Sequence, residues 1–295
     1  MKVKTNPMPH ITPPPLPQIK DAVSSALQED LGLKGDITTD SIFNTSTKGT
    51  AIIRAREAGI LAGHPFAEQT FQDLTQHGEK AKITWHKQDG AKLKPKDKIA
   101  TISGPVKLIL TSERTALNFL GHLSGIASLT GRYTAAIKGT KATIVDTRKT
   151  TPGLRAAEKY AVRCGGGENH RLRLDDALLI KDNHIAFAGG ISAAIKKARD
   201  NAGHMVKLEV EVDTLTQLKE CLKHKVDAVL LDNMSLSNLE KAVAMIDGAC
   251  LAEASGGVTL ETVRAIAKTG VDIISVGALT HSAPCLDLGL DIAIS

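Results

Sequence analysis

Two runs, Val206-Lys-Leu-Glu-Val-Glu-Val-Asp213 and Ala228-Val-Leu-Leu-Asp-Asn233, decide how this chain folds. Each is a short apolar segment that stops at acidic or amide side chains. The same unit recurs along the second half of the chain: strands are predicted at Thr143–Val145, Leu178–Ile180, Val206–Val210, Ala228–Leu231, Leu251–Ala252 and Ile273–Val276, and helical stretches separate most of them. Apolar strands alternating with helices imply a parallel sheet buried on both faces, as in a barrel or a doubly wound fold. No G-x-G-x-x-G follows the first strand and no Walker A loop is present, so a nucleotide-binding Rossmann reading loses its main support.

Upstream the texture differs. Ile19, Val23, Ala26, Leu27 and Leu31 recur at helical spacing, and Gly32 and Gly35 end that helix. Short β-like runs follow at Thr50–Arg56, Ile60–Ala62, Lys82–His86 and Lys98–Ser103, close enough together to pair antiparallel in an open α+β domain. A long helix is predicted after Pro105, running towards Ser128, with the domain change near its start. The expected division is an N-terminal α+β sandwich over 1–116, an incomplete parallel α/β barrel over 117–282, and a tail over 283–295 that packs back on the first domain. Proline-rich Met1–Pro17 reads as a polyproline-like or mobile lead.

Composition narrows the function. The 295 residues are 42% hydrophobic and 23% charged, enough for a large core, which excludes disorder as the main state. Aromatics make up 3%, too few for the stacking platforms of single-stranded nucleic-acid binders. The net charge of +5 is not gathered in one basic run and suits small anions better than DNA. Cys164, Cys221, Cys250 and Cys285 form no C-x-x-C pair, so neither a zinc site nor a disulfide framework is suggested, and a cytoplasmic location is expected.

Polar clusters follow the barrel strands: Asp146-Thr-Arg-Lys149, Lys181-Asp-Asn-His184, Glu211-Val-Asp213, Asp232-Asn233, Ser255-Gly-Gly257 and Gly277. In a barrel the carboxyl ends converge on one face, so these scattered residues would share a pocket; read singly, each could be only a helix cap. Gly256 and Gly257, before a helix expected near Thr259, and Gly277 after the last strand would let backbone N–H groups approach a phosphate. Arg148, Lys149, Arg171 and Lys181, with His170, gather positive charge at the same mouth. Either a polyanionic ligand satisfies them, or an internal ion-pair lattice with Asp146, Glu209, Glu211 and Asp232 does. Glu209 and Glu211, two apart, share the strand face that points into the barrel. Cys164-Gly-Gly-Gly167 reads as a turn bringing Asn169-His-Arg171 inward rather than as a nucleophile's setting. Arg114 and His122 sit on the long helix and, taken alone, read as surface residues.

Taken together these segments resemble the quinolinate phosphoribosyltransferase family, also called nicotinate-nucleotide pyrophosphorylase (carboxylating). The resemblance rests on Glu29-Asp-Leu-Gly32, Gly35-Asp-Ile-Thr-Thr39, Glu113-Arg-Thr-Ala-Leu-Asn-Phe-Leu120, Leu123-Ser-Gly-Ile-Ala127 and Asp146-Thr-Arg-Lys-Thr-Thr-Pro-Gly-Leu-Arg155. It continues through Glu158-Lys-Tyr-Ala-Val162, Asn169-His-Arg171, Leu179-Ile-Lys-Asp-Asn-His184, Glu209-Val-Glu-Val212, Leu230-Leu-Asp-Asn233, Ser255-Gly-Gly257 and Ser275-Val-Gly-Ala-Leu-Thr-His281. Arg173 stands where glycine is common in the family.

The resemblance implies a cytoplasmic homodimer that makes nicotinate mononucleotide, pyrophosphate and CO2 from quinolinate and phosphoribosyl pyrophosphate, with Mg2+ as cofactor. By the same implication, Arg148, Lys149, His170 and Arg171 surround quinolinate, with Arg114 supplied by the neighbouring subunit. Lys149, Lys181, Glu211 and Asp232 are the expected catalytic set around phosphoribosyl pyrophosphate, with Glu211 and Asp232 on the metal. Ser255, Gly256, Gly257 and Gly277 would hold the 5-phosphate. Competing readings are a paralogue acting on another pyridine carboxylate, a Schiff-base lyase using Lys181 or Lys149, and a non-catalytic phosphate binder.

Overall fold

The computed structural model describes residues 11–75 and 80–293, so most of the proline-rich start lies outside the described residues. Pro15 occupies the N-cap position of helix α1 (Leu16–Leu31), whose Ile19, Val23 and Leu27 are buried, and Pro17 fits the first turn, where no amide partner is needed. Helix α2 (Ile37–Ile42) starts at Asp36, which accepts the amide of Thr39 at 3.0 Å. After it come β1 (Lys48–Ala55), β2 (Gly59–Ile60), α3 (His64–Asp73), β3 (Lys82–Trp85), β4 (Lys92–Leu93), β5 (Lys98–Pro105) and α4 (Val106–Ala136).

The chain divides into two compact units. Among the described residues, the first takes those up to Gly131, Thr151–Gly166, which holds α5 (Arg155–Cys164), and those from Ser282 onward. Its antiparallel sheet has the order β12-β1-β5-β3, where β12 (Leu288–Ile292) is contributed by the tail and sets Leu290 opposite Ile53. Burial alternates along β1, putting Ala51, Ile53 and Ala55 into a core with Ile99, Ile102, Phe71 and the helix residues Ala116, Leu117 and Leu120. Full burial of a side chain such as Ile53 or Leu120 contributes about 1.5–3 kcal/mol. The boundary expected at 116/117 therefore falls inside α4, because the residues on both sides of it fill this core.

The run expected as a strand at Ile60–Ala62 shortens to β2. Among the described residues it pairs only with β4, and Gly63, at φ 108°, turns the chain into α3. Ser124 and Ser128 of α4 complete the backbone bonding there: Ser128 accepts from Ile60 N at 2.8 Å, and Ser124 accepts from Ala62 N at 2.9 Å. His122 bonds the fully buried Glu158 at 2.9 Å, and Glu158 also accepts the Thr151 amide, so these positions are structural.

The second unit, Arg132–Thr150 with Gly167–His281, is the parallel sheet. Its strands are β6 (Thr143–Val145), β7 (Leu178–Ile180), β8 (Leu208–Val212), β9 (Ala228–Asp232), β10 (Leu251–Ser255) and β11 (Ile273–Ser275). The intervening helices are α6 (Asp182–Ala188), α7 (Ile191–Asn201), α8 (Leu215–Cys221), α9 (Leu236–Ile246) and α10 (Val263–Lys268), with α11 (Ala278–His281) after β11. The third strand starts two residues later than expected, because Leu208, Val210 and Val212 are the fully buried alternate residues. Helix starts carry their signatures: Thr214 and Gln217 form a capping box on α8, and Ser235 caps α9.

The sheet order is β6-β11-β10-β9-β8-β7. Consecutive strands are neighbours from β7 to β11, and the sheet then returns to the first strand, β6. Successive one-step crossovers of one hand put every helix on the same side, so such a sheet curls round instead of lying flat. Among the described residues β6 and β7 do not pair, and that gap is the open seam of an incomplete barrel.

Candidate active site

The carboxyl ends of the barrel strands enclose a cavity of about 620 Å³, lined by Arg148, Lys149, His170, Arg171, Lys181, Glu211, Asp232, Ser255, Gly256, Gly257 and Gly277. That volume lies in the usual range for a small-molecule site. Each side chain arrives by a local device. After β6, Asp146 is fully buried and accepts the amide of His170 at 3.0 Å and the side chain of Asn169 at 2.6 Å, while Glu168 bridges Val145 in parallel register. These bonds draw Asn169-His170-Arg171 beside the first strand. Lys149 is fixed through its backbone, its amide donating to Thr147 Oγ1 and its carbonyl accepting from Thr280 Oγ1.

The glycine loop is sterically required. Gly256 has φ 89°, and a Cβ there would stand 2.1 Å from Asn233 Oδ1. Gly257 also has positive φ, 57°. The regular helix runs from Val263, and the turn Thr259–Thr262 leads into it: Thr259 O accepts from Val263 N at 2.9 Å, and the hydroxyls of Thr259 and Thr262 accept each other's amides, so the glycine loop enters the helix through a short capped turn.

An internal lattice matches only part of the cavity's positive charge, with His170 paired to Glu209 at 3.0 Å. Lys181 pairs with Glu211 at 2.8 Å, but the Nε atoms of Arg148 and Arg171 are buried with no hydrogen-bond partner. Burial, and then the neighbouring charge of Arg148, pulls the Arg171 guanidinium below its ordinary range. Two adjacent guanidiniums with unused donors form a site that an anion relieves.

Deeper in the barrel, His170 Nε2 lies 3.0 Å from Glu209 and 3.6 Å from Glu253. Burial, then the charge of Glu209, pushes the Glu253 carboxyl up to about 8 against the opposing effect of His170. Glu253 was not singled out in the sequence, since the strand predicted there ended at Ala252. Its signal was an acid two residues before Ser255 and therefore on the same strand face. Thr147, Ser275 and His281 also line the cavity and were not assigned.

Arg114 is placed elsewhere, exposed on α4 in the first unit. Cys164 is buried in that unit, and burial raises its thiol well above the ordinary range, so it is no nucleophile. Lys181 is 47% exposed and ion-paired, unlike the desolvated lysine of a Schiff-base enzyme. All four cysteines are free, and among the described residues no helix is long and apolar enough to cross a membrane.

The profile of the quinolinate phosphoribosyl transferase N-terminal domain matches residues 36–124, and that of its C-terminal domain matches 126–291. The nicotinate-nucleotide pyrophosphorylase (carboxylating) of Mycobacterium leprae is 42% identical over 276 residues, covering 92% of this chain and 96% of that one. The solved nicotinate-nucleotide pyrophosphorylase from Francisella tularensis superposes with a TM-score of 0.91 at 41% identity, over 97% of this chain and all of that one. The one from Ehrlichia chaffeensis gives 0.88 at 43% identity, over 92% and 98%. A continuous match across both units, together with a cationic cavity at the barrel's carboxyl face, leads to one assignment: the chain belongs to the quinolinate phosphoribosyltransferase family.

Proposed function

We propose that the protein transfers the phosphoribosyl group of phosphoribosyl pyrophosphate to quinolinate with decarboxylation, giving nicotinate mononucleotide, pyrophosphate and CO2 in NAD biosynthesis. The observation that carries this reading is the buried Arg148 and Arg171 pair with unused Nε donors in the cavity that also holds the glycine loops. One part of the cavity is suited to a rigid dicarboxylate and another to phosphate.

In this reading Arg148, Arg171 and Lys149 bind the two carboxylates of quinolinate and aim its ring nitrogen at the anomeric carbon. Ser255, Gly256, Gly257 and Gly277 receive the 5-phosphate. As pyrophosphate departs, Lys149 and Lys181 face the growing negative charge, while Glu211 and Asp232 face the positive charge on the ribose. The positive charge of the ribosylated, quaternary nitrogen then stabilises the carbanion left on the adjacent ring carbon when its carboxylate leaves as CO2, and that carbon takes up a proton from solvent to complete nicotinate mononucleotide. Glu211 and Asp232 offer only oxygen ligands at the cavity wall, a donor set that fits Mg2+ held partly by substrate phosphates. Mg2+ would supply charge neutralisation of the pyrophosphate.

The test is incubation with quinolinate, phosphoribosyl pyrophosphate and Mg2+, following CO2 and mononucleotide together. Stoichiometric release is expected, with little turnover of nicotinate; comparable rates with nicotinate would overturn the substrate assignment. The same reading makes the protein a cytoplasmic homodimer in which Arg114 serves the neighbouring subunit's site. Mixing inactive Arg114→Ala with inactive Lys149→Ala protein should then restore about a quarter of wild-type activity, since half the dimers are hybrids and each hybrid has one intact site. No recovery despite demonstrated subunit exchange would rule out the shared site.

A further inference from the structure

The His170 ring uses both nitrogens on the protein. Nδ1 accepts the backbone N–H of Arg171 at 2.8 Å, so it carries no proton, and the hydrogen-bond network assigns the proton to Nε2, which donates to Glu209 Oε2 at 3.0 Å. Glu253 Oε2 lies 3.6 Å from the same nitrogen. Glu209 is 9% and Glu253 1% exposed, and neither Oε1 has a hydrogen-bond partner. A carboxyl pair buried beneath a cavity built for anions is unfavourable by itself. It persists here around the edge of one imidazole. On the far side of that imidazole is the amide of Arg171, whose guanidinium reaches Ala177 O at 3.1 Å and keeps its Nε unused.

We propose that Glu253 and Glu209 are positioning residues: they fix the His170 ring with its proton on Nε2, and the ring in turn fixes the Arg171 backbone so that the guanidinium is aimed at a carboxylate of the aromatic acceptor. The proposal rests on reading the cavity as a quinolinate site, and it changes the part expected of His170 from a direct substrate ligand to a strut. The chain of contacts runs from β8 and β10 through the ring to Arg171, and it does not pass through Glu211, Asp232 or the glycine loops. Its loss should therefore be felt by one substrate and not the other.

The experiment uses full-length wild-type, Glu253→Gln and Glu253→Ala protein, with kcat and both KM values, and imidazole 15N spectra in which His170 is identified by its absence in His170→Gln. The glutamine keeps a neutral group that donates and accepts, so its KM for quinolinate should stay within about twofold of wild type. The alanine removes the carboxyl that lies 3.6 Å from Nε2 and packs beside Glu209, and should raise that KM about tenfold, leaving the KM for phosphoribosyl pyrophosphate unchanged. The ring should carry its proton on Nε2 in the wild type and the glutamine variant with matching 15N shifts, and those shifts should move in the alanine variant, where Glu209 alone holds the Nε2 edge. An equal rise in both KM values, a glutamine variant as damaged as the alanine one, or a wild-type ring protonated on Nδ1 overturns the proposal. So does a tightly held divalent ion in the wild type that Glu253→Gln loses, since the cluster would then be a metal site. If Glu253→Ala does not fold, the wild-type tautomer and the Glu253→Gln kinetics still decide. Absence of quinolinate turnover by the wild type breaks the functional reading instead, and the tautomer still tests the strut.

Discussion

At the amino ends of the parallel strands, two aspartates repeat one device. Asp227, just before β9, accepts the amide of Leu208 at 2.8 Å and is paired with Lys207 at 2.7 Å and Arg199 at 3.1 Å. Asp272, just before β11, accepts the amide of Ala252 at 2.9 Å and is paired with Lys141 at 2.6 Å. At the carboxyl ends of the same strands the pattern reverses: Arg148 and Arg171 keep buried Nε atoms unpaired, and Asn233 and Gly256 adopt left-handed backbone. The ionisation shifts follow. Burial opposes the charge of Asp227, but the bonds from Lys207, Leu208 and Arg199 outweigh it and bring the carboxyl down to about 2. Glu253 moves the other way. One end of the barrel is arranged for the folded state alone, and the other for a folded state with something bound.

The sharpest way to break this contrast is to remove the frustrated cations. Arg171→Ala and Arg148→Ala should each lower kcat/KM with quinolinate by about 10²–10³, with the melting temperature little changed, because loss of an unpaired buried Nε offsets what else is lost, for Arg171 its bond to Ala177 O. If either variant melts well below wild type, the arginine is structural and the two ends are not different in kind. Asp232→Asn comes next. If Asp232 faces charge that develops only as the ribosyl bond breaks, kcat should fall by about 10–10² while the KM for quinolinate rises by a smaller factor. A wild-type kcat with only a raised KM would make Asp232 a ground-state ligand.

Asp227→Ala probes the other end. Losing its bonds should destabilise the protein by about 1–3 kcal/mol and leave both KM values and kcat near wild type, read by denaturant unfolding beside steady-state kinetics. The pH sign is fixed by the depressed carboxyl: its contribution is present above the ordinary value near 4 and is lost as the pH falls through about 2. An Asp227→Ala protein with unchanged stability would show that the satisfied end does no more for folding than the strained one.

The same contrast explains what the sequence revealed. The βα repeat and the polar residues after each strand were legible because strand periodicity and strand ends are local properties, and Arg148, Lys181, Glu211 and Asp232 all line the cavity. The division of the chain was not, because α4 looks the same on both sides of 116/117 and only the core around Ala116 and Leu120 shows where it belongs. The entry to α10 near Thr259 was legible because Thr259 and Thr262 carry a cap's chemistry, although the regular helix follows only after one turn. Glu253 was missed for a physical reason: its role depends on Glu209 and His170, which lie far away in sequence and meet it only once the sheet has curled.

Glu253 offers the finest probe of the two ends, through the sign of a pH dependence. Its folded carboxyl titrates at about 8, raised from an ordinary value of 4.5 by burial first and by Glu209 second. Between those values the folded state holds a proton that the unfolded chain has released, so stability is fully present below about 4.5, declines as pH rises through the window, and levels off above about 8. The slope is at most about 1.4 kcal/mol per pH unit and is smaller where Glu209 and His170 share the proton. Asp227 gives the opposite slope in a separate, acidic window. The difference in melting temperature between wild type and Glu253→Gln should therefore fall from pH 5 to pH 8, while the difference between wild type and Asp227→Ala rises from pH 2 to pH 4. A flat Glu253 profile would mean that its carboxyl is ionised in the folded protein, and that the charge beneath the arginines is matched as fully as the charge at the other end of the strands.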